Sequence, residues 1–517
     1  MPTLIVNCVF MIVFSVFFSY YLIKKSNKKL PKAPSPFKLP IIGHVHLMAK
    51  YPGESWRAFN EIQDKYGKIV ELKLGIQKFL LVADVNAVKE IILTNGKIFA
   101  NRPFLVSVDK FVSGIENVIH FSSWSESHKQ LRQIIAFHTL TSSTSKEIHD
   151  QYNQIAINEF KNLMQSLSWK NSGNDGKICL SQLRLLVGSV FFEHFWNGSV
   201  NTNTKDFQQF LVSLQDCHET MINGSIVDIF PFLDKLGFFP SSIVATADGM
   251  MKYLENDAGL VKWKESMHHH ISSPLEGNRE PNNCLIESLI KHHLMNSSNL
   301  SWTKCVSTVV GLLLNIPNVT NMVMACLGYL SLDLEAQKRI RAEIREKFSQ
   351  NDDIISTDQS TKLVQIKAAI METLRLISSP YLPHCTTEDT SVNGYRVDKG
   401  TSVLVNAQYI NHSPDLWESP LEFKPSRFLI PSEDGSGVQI KKPPFFLPYS
   451  LGRRSCPGFG IFESLAPFVV ANLLKKFQVS TSYNRHEMEK RGLCNFSSMK
   501  HGNFFALSLK AWESPRH

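Results

Sequence analysis

The chain has 517 residues, of which 43% are hydrophobic and 20% charged, with a formal net charge of +9. That composition excludes a predominantly disordered chain, and the length suits one large enzyme domain or a few average ones. Lysines and arginines are dispersed, not gathered into a stripe with interleaved aromatics. This argues against nucleic-acid binding and for attraction to a membrane surface or an acidic partner. The nine cysteines (Cys8, Cys179, Cys217, Cys284, Cys305, Cys326, Cys385, Cys456 and Cys494) form no C-x-x-C pair and no zinc spacing. An odd, scattered set fits a reducing compartment.

The first predicted element is Leu4–Ile23, an uncharged apolar run followed at once by "KKSNKK". At about 1.5 Å per helical residue it crosses a hydrocarbon core of roughly 30 Å. It lacks the preceding positive charge and the small-residue cleavage site of a signal peptide. Residues 1–23 are therefore expected to be an uncleaved anchor, with the basic flank and all that follows in the cytosol. Residues 24–44 are basic and then proline-rich (Pro31, Pro34, Pro36, Pro40), which predicts a stiff extended linker ahead of one catalytic domain, 45–517.

Within that domain "ESWRAFNEIQDKYG" predicts an amphipathic helix ended by Gly67, and "KIVELKLGIQKFLLVA" a β-hairpin. Helical patterns dominate from about Asn86 to Leu376. "SIVDIFPFLDKLGFFPS" (Ser225–Ser241) is too short and broken to span a bilayer, and reads as a core helix or a patch resting on the membrane. "MHHHISSPLEGNREPNN" (Met267–Asn283) reads as a solvated loop in preference to a metal site. "VNGYRVDKGTSVLVNAQYI" returns to strands and turns. The fold class expected is mainly α with small β-sheets.

The chemistry concentrates in "FFLPYSLGRRSCPGFG" (Phe445–Gly460). Cys456 stands between glycines and arginines, ahead of the apolar helix pattern "IFESLAPFVVANLLKKF". A thiolate ligating iron needs backbone N–H groups to hold its charge, and a helix N-terminus favours the anion. Gly452 and Gly458 allow a tight turn against a flat cofactor, and Arg454 suits a carboxylate on its edge.

The series Tyr449, Gly452, Arg454, Cys456, Gly458 resembles the haem-thiolate loop of the cytochrome P-450 monooxygenases, with Tyr449 where that family usually has phenylalanine. Two companion strings extend the resemblance over nearly the whole chain. "ETLR" places Glu372 and Arg375 as the family's E-x-x-R pair, and "FKPSRF" supplies Arg427 to complete a Glu–Arg–Arg cluster, with Ser426 at a usual glutamate.

The resemblance implies the cytochrome P-450 fold, haem b and an axial thiolate from Cys456. It implies propionate contacts from Arg454 and from Trp124, taken as the first residue of the family's Trp-x-x-x-Arg helix. His128 would then fall at the arginine position, so the role passes to Lys129 or Arg132, while His384 matches another propionate-binding position. The implied partners are an NADPH–cytochrome P-450 reductase, a lipophilic substrate and membrane lipid, with the catalytic domain on the cytosolic face of the endoplasmic reticulum. Lys441, Lys442, Arg453, Lys475 and Lys476 are candidates for a reductase-facing basic surface.

The distal helix lies within Ser307–Leu330. Where the family has Gly-x-acid-Thr, this chain reads Asn315-Ile316-Pro317-Asn318. Both proton-relay residues are missing, and Pro317 removes a helix hydrogen bond. Either Asn318 or Thr320 relays protons with water, or the enzyme rearranges a pre-oxidised lipid as an isomerase or dehydratase, or the chain is a degenerate haem-binding copy. "FSSWSESHKQLRQIIAFHTL", "VTNMVMACLGYL" and "LPHCTTEDTSVNGYRVDKGT" resemble the arthropod spook and spookier group of Halloween-class enzymes. That group also lacks the acid–Thr pair. The resemblance implies a sterol substrate in ecdysteroid biosynthesis.

Overall fold

The computed structural model describes residues 30–52, 54–111, 114, 117–140, 144–170, 175–198, 200–272, 284–295, 300–349, 353–377, 383–433, 435, 437–489 and 506–512. The expected anchor, the basic half of the linker, Cys8 and Cys494 lie outside these residues, as does most of the Met267–Asn283 loop.

Helix α1 (Ser55–Tyr66) turns Ala58, Ile62 and Gln63 inward and stops at Gly67, whose φ of +101° favours glycine. Strands β1 (Ile69–Leu74) and β2 (Gln77–Val82) form the expected hairpin, closed by Gly75 and Ile76. Two further strands pair as β3 (Ser168–Lys170) and β4 (Asp175–Ile178). The C-terminal half supplies β5 (His384–Cys385), the hairpin β6 (Thr390–Val392) and β7 (Tyr395–Val397), and β8 (Ser402–Val405). It also supplies the ribbon β9 (Leu429–Pro431) with β10 (Val438–Ile440), and β11 (Phe477–Ser480) with β12 (Leu507–Ala511). One sheet runs β1-β2-β8-β5, with β2 and β8 parallel, and the other runs β11-β12-β4-β3. "NAQYI" does not continue the strands: Ala407–Asn411 is a short helix capped by Asn406.

The proline-rich stretch is extended as expected, but it is strapped to the body instead of standing off it. The Glu71 N–H donates to Pro34 O at 2.8 Å, the Arg396 N–H to Pro31 O at 2.9 Å and the Lys73 N–H to His44 Nδ1 at 2.8 Å.

The remaining helices used below are α2 (Glu126–His138), α3 (Lys146–Ser166), α4 (Leu180–Trp196), α5 (Lys205–Asn223), α6 (Trp302–Leu313), α7 (Ile316–Ser331), α8 (Leu334–Lys347), α9 (Val364–Ile377) and α10 (Phe459–Lys476). α7 is the hub, packed against α4, α9 and α10. Val323, Leu327 and Leu330 are almost fully buried there, and each such side chain contributes about 1.5–3 kcal/mol by leaving water. Trp302–Ser331 is the one stretch among the described residues long and apolar enough to cross a membrane, yet 89% of its apolar window is buried in protein, so here it is a core element. Pro317 ends its continuity. α6 closes with Leu314 N–H on Val310 O, and α7 restarts with Asn315 as its N-cap residue and Pro317 in its first turn.

Candidate functional site

The Cys456 loop is built from its own backbone. The Cys456 N–H donates to Tyr449 O at 2.9 Å, closing the turn. Gly452 carries φ +67°, and a Cβ there would lie 2.5 Å from Ile92 O, so the tight turn and close packing both demand glycine. Gly458 has ordinary negative φ, so the tight-turn argument does not apply to it. Its role is as a donor. The Cys456 thiol is pushed up by burial, and this is opposed by the Gly458 N–H, the Arg132 guanidinium and the Phe459 N–H. These amides open α10, the apolar helix expected after the loop. The Tyr449 ring stacks near Phe459 and Phe462, and its phenol is raised first by burial and then by Glu463.

Beside the thiol converge cations from distant parts of the chain. Arg454 is buried; its Nε donates to Ala100 O at 2.6 Å and its Nη1 lies 2.9 Å from His128 Nε2. Arginine only donates, so His128 accepts on Nε2 and donates from Nδ1 to Ser122 Oγ at 2.9 Å. Burial and then Arg454 lower His128 to about 2, holding it neutral. Arg132 Nη2 donates to Ser455 O at 2.7 Å. Arg102 donates from Nη1 to Pro383 O at 3.0 Å, and burial with Arg454 and Arg132 lowers it to about 9. His384 Nδ1 meets Phe99 O at 2.8 Å and is lowered to about 3 by burial and Arg102.

Behind this site the Glu–Arg–Arg cluster is assembled as an ion-paired unit. Glu372 and Arg375, on one face of α9, are both 0% exposed, and their paired oxygens and nitrogens lie 2.8 and 2.9 Å apart. Arg427 Nε reaches Glu372 Oε1 at 3.0 Å.

Comparison with known proteins decides the family. The Cytochrome P450 family model matches residues 33–503. The chain is a cytochrome P450. It is 25% identical over 472 residues to "Cytochrome P450 307a1" of Drosophila melanogaster, covering 88% of this chain and 85% of that one. It is 28% identical over 462 residues to the psoralen synthase of Ammi majus, covering 88% and 86%. A zebrafish cytochrome P450 in a structure with progesterone superposes with TM-score 0.66 at 22% identity, covering 82% of this chain and 93% of that one.

A cytochrome P450 binds haem b through an axial cysteine thiolate, and the residues here fit that group. Guanidiniums and imidazoles from four segments gather beside one thiol, the donor chemistry that two propionates require. The Cys456 thiol already has two N–H groups aimed at it.

The geometry corrects several expectations. Trp124 stands just before α2, whose cap is Ser125, and is followed four residues on by His128, not arginine. His128 and Arg132, one turn apart, face the loop, and the Trp124 ring packs beside them, 5.1 Å from the His128 ring and 5.6 Å from the guanidinium carbons of Arg453 and Arg454. Lys129 points to solvent and pairs with Glu126, away from the site. Thr320 is fully buried, and its hydroxyl donates to Ile316 O at 2.8 Å, so it is committed to its own helix. Among the five candidate basic residues, Lys475 and Lys476 lie about 25 Å along α10 from its start, by the rise per residue. Sequence reading missed Arg102 and His120. Their only local signals are "ANRPF" and a lone histidine in an apolar run.

Proposed function

We propose that this cytochrome P450 is a membrane-anchored monooxygenase that oxidises a sterol, in ecdysteroid biosynthesis, with dioxygen and electrons from an NADPH–cytochrome P-450 reductase. The observation that carries the reaction class is the Cys456 thiol held by the Gly458 and Phe459 amides beside the arginine–histidine group. In this reading Cys456 is the axial ligand. Arg132 and Arg454 hold the propionate edge with Trp124, Arg102 and His384, His128 orients Arg454, and the Glu372 cluster supports the proximal side. Bound haem supplies oxygen-atom transfer to an unactivated carbon. The chain's own residues orient the substrate and exclude water. The strings shared with the spook and spookier group support the sterol and the pathway.

A second reading draws on Pro317 and Asn318 at the acid and alcohol positions: a rearrangement of an oxidised lipid that needs no reductase. One experiment separates the two. In vesicles with the reductase, 7-dehydrocholesterol is expected to be consumed only when NADPH and dioxygen are both supplied. Turnover of a lipid hydroperoxide without NADPH, with the sterol untouched, would establish the second reading.

Residues 1–23 are proposed as the anchor, holding the 45–517 body on the cytosolic face of the endoplasmic reticulum. A second contact supports that placement. Phe37 and Ile41 of the strapped segment, Ile76 of the hairpin turn and Phe232, Leu236 and Phe238 are all exposed apolar side chains. Backbone bonds tie these segments together: Gly75 N–H to Ile42 O at 3.1 Å and Ile76 N–H to Ile229 O at 3.4 Å. The Ser225–Ser241 stretch is thus a surface of short helical turns, not one core helix. A chain lacking residues 1–29 is expected to float with lipid vesicles, and Phe232→Ser with Phe238→Ser to reduce its partition ten-fold or more, given about 1.5–3 kcal/mol per buried aromatic. Unchanged flotation would remove this face from the membrane.

A further inference from the structure

In the middle of the α6–α7 pair, Leu312, Leu313, Leu314, Ile316, Pro317 and Val319 are buried, whereas Asn315 and Asn318 both keep exposed surface. Three residues apart, they share one side of the helix. Asn315 Nδ2 donates to Gly311 O and Leu312 O, both at 3.2 Å, and lies 3.5 Å from His120 Nε2. Asn318 Nδ2 donates to Asn315 Oδ1 at 3.1 Å. Asn318 Oδ1 in turn accepts a short hydrogen bond from His218 Nε2 of α5. Four polar side chains from three segments thus form one seam: His120, Asn315, Asn318, His218.

The chemistry of the groups fixes their protons. An amide oxygen only accepts, so His218 carries hydrogen on Nε2. Asn315 has two amide hydrogens, both directed at Gly311 O and Leu312 O, with His120 Nε2 at the outer limit of their reach. Burial lowers both histidines to about 4, which keeps them neutral at physiological pH. Gly311 makes room for the His120 ring, because a Cβ there would lie 3.0 Å from His120 Nδ1. Asn318 commits one of its two amide hydrogens to Asn315.

The break in the helix does not require all of this. Asn315 alone serves the carbonyls of Gly311 and Leu312, and the Val319 N–H already reaches Asn315 O at 3.0 Å. An apolar pair at positions 218 and 318 would fill the same place without polar groups to satisfy. A wholly hydrocarbon ligand covering the seam would strip its donors of water and give nothing back.

We propose that this seam is the subsite that receives a hydroxyl or carbonyl oxygen of an otherwise apolar substrate, with Asn318 and His120 making the contact and His218 positioning the Asn318 amide. The proposal rests on the haem-thiolate sterol reading and deepens it by specifying which part of the ligand is recognised, and by which residues.

The test is a pair of absorbance titrations on the full-length haem-loaded protein, using cholestanol and cholestane, which differ by one oxygen. Cholestanol is expected to bind about ten-fold more tightly, the worth of roughly one well-made hydrogen bond to a buried group. His218→Phe and Asn318→Leu are each expected to bring the ratio to near one, by weakening cholestanol and with cholestane bound no less tightly than before. An unaltered reduced carbon-monoxide spectrum in both variants shows that the haem site is intact. Equal binding of the two ligands to the unmodified protein overturns the seam alone, as does a preference that survives both substitutions. If neither sterol perturbs the spectrum of the unmodified protein, the sterol reading falls and this inference with it.

Discussion

Glu372→Gln is expected to abolish accumulation of folded, haem-loaded protein. Glu372 is completely buried and accepts from Arg375 Nε and Nη2, from Arg427 Nε, and from the Lys424 N–H at 2.9 Å. Arg375 is equally buried and carries its remaining donors to Asn411 O and Pro420 O, both at 2.6 Å, and to Glu422 O at 3.2 Å. One carboxylate therefore balances two guanidiniums and ties α9 to the segment around Pro425–Phe428. The amide keeps the shape and removes the charge, leaving buried cations uncompensated. Losing one partner of such a group costs about 3–5 kcal/mol, against a total stability of roughly 5–15 kcal/mol. The readout is haem incorporation together with the denaturation midpoint. Glu335→Gln, which breaks an exposed pair with Lys338, is the control and is expected to change neither. A Glu372→Gln protein that denatures like the unmodified one would show that the cluster does not hold the fold.

Cys456→Ser is expected to remove the thiolate-type band from the reduced carbon-monoxide spectrum and to end NADPH-supported turnover. The start of α10 supplies two amides and α2 supplies Arg132 to a negative sulfur, yet burial keeps the thiol's proton affinity above its ordinary value in the protein alone. The charge of a bound iron provides the remaining stabilisation, and a coordinated thiol is deprotonated outright. A serine hydroxyl is a far weaker acid and does not replace it. The arginine–histidine group is untouched by the substitution, so haem is expected to stay bound in part. Arg454→Ala should do the reverse, weakening retention while leaving a thiolate band on the fraction that is loaded. Persistence of the band in the Cys456→Ser protein would show that another residue is the ligand.

What was legible in the sequence is what is contiguous. The cysteine loop, "ETLR" and "FKPSRF" keep their meaning in short strings because a tight turn and one helical turn fix their geometry locally. The α2 register was not legible. Trp124 with His128 and His128 with Arg132 both satisfy a spacing of four, and only the capping bond of Ser125 to the His128 N–H shows where the helix starts. Arg102 and His120 reach the site from loops whose course is set by tertiary packing, so no periodicity marks them. The seam is invisible for the same reason: it needs α5 to cross the broken helix at His218. The strapping of the proline-rich stretch was not legible, because proline predicts an extended backbone but says nothing about whether a strand edge lies beside it.

The parallel pairing of β2 with β8 joins Phe79–Val82 to Ser402–Val405. At translation rates of about 5–20 residues per second, the partner strand emerges on the order of tens of seconds after the hairpin. For that interval the edge of β2 that β8 will cover stays open. The residues proposed to hold the haem are spread from Arg102 to Cys456, so they cannot converge until synthesis is nearly complete. Loading of the prosthetic group is therefore a late event in the life of each molecule. Shortage of haem would be felt as a pool of full-length chains in which β2 and β8 are already both made but the arginine–histidine group has no ligand to close on.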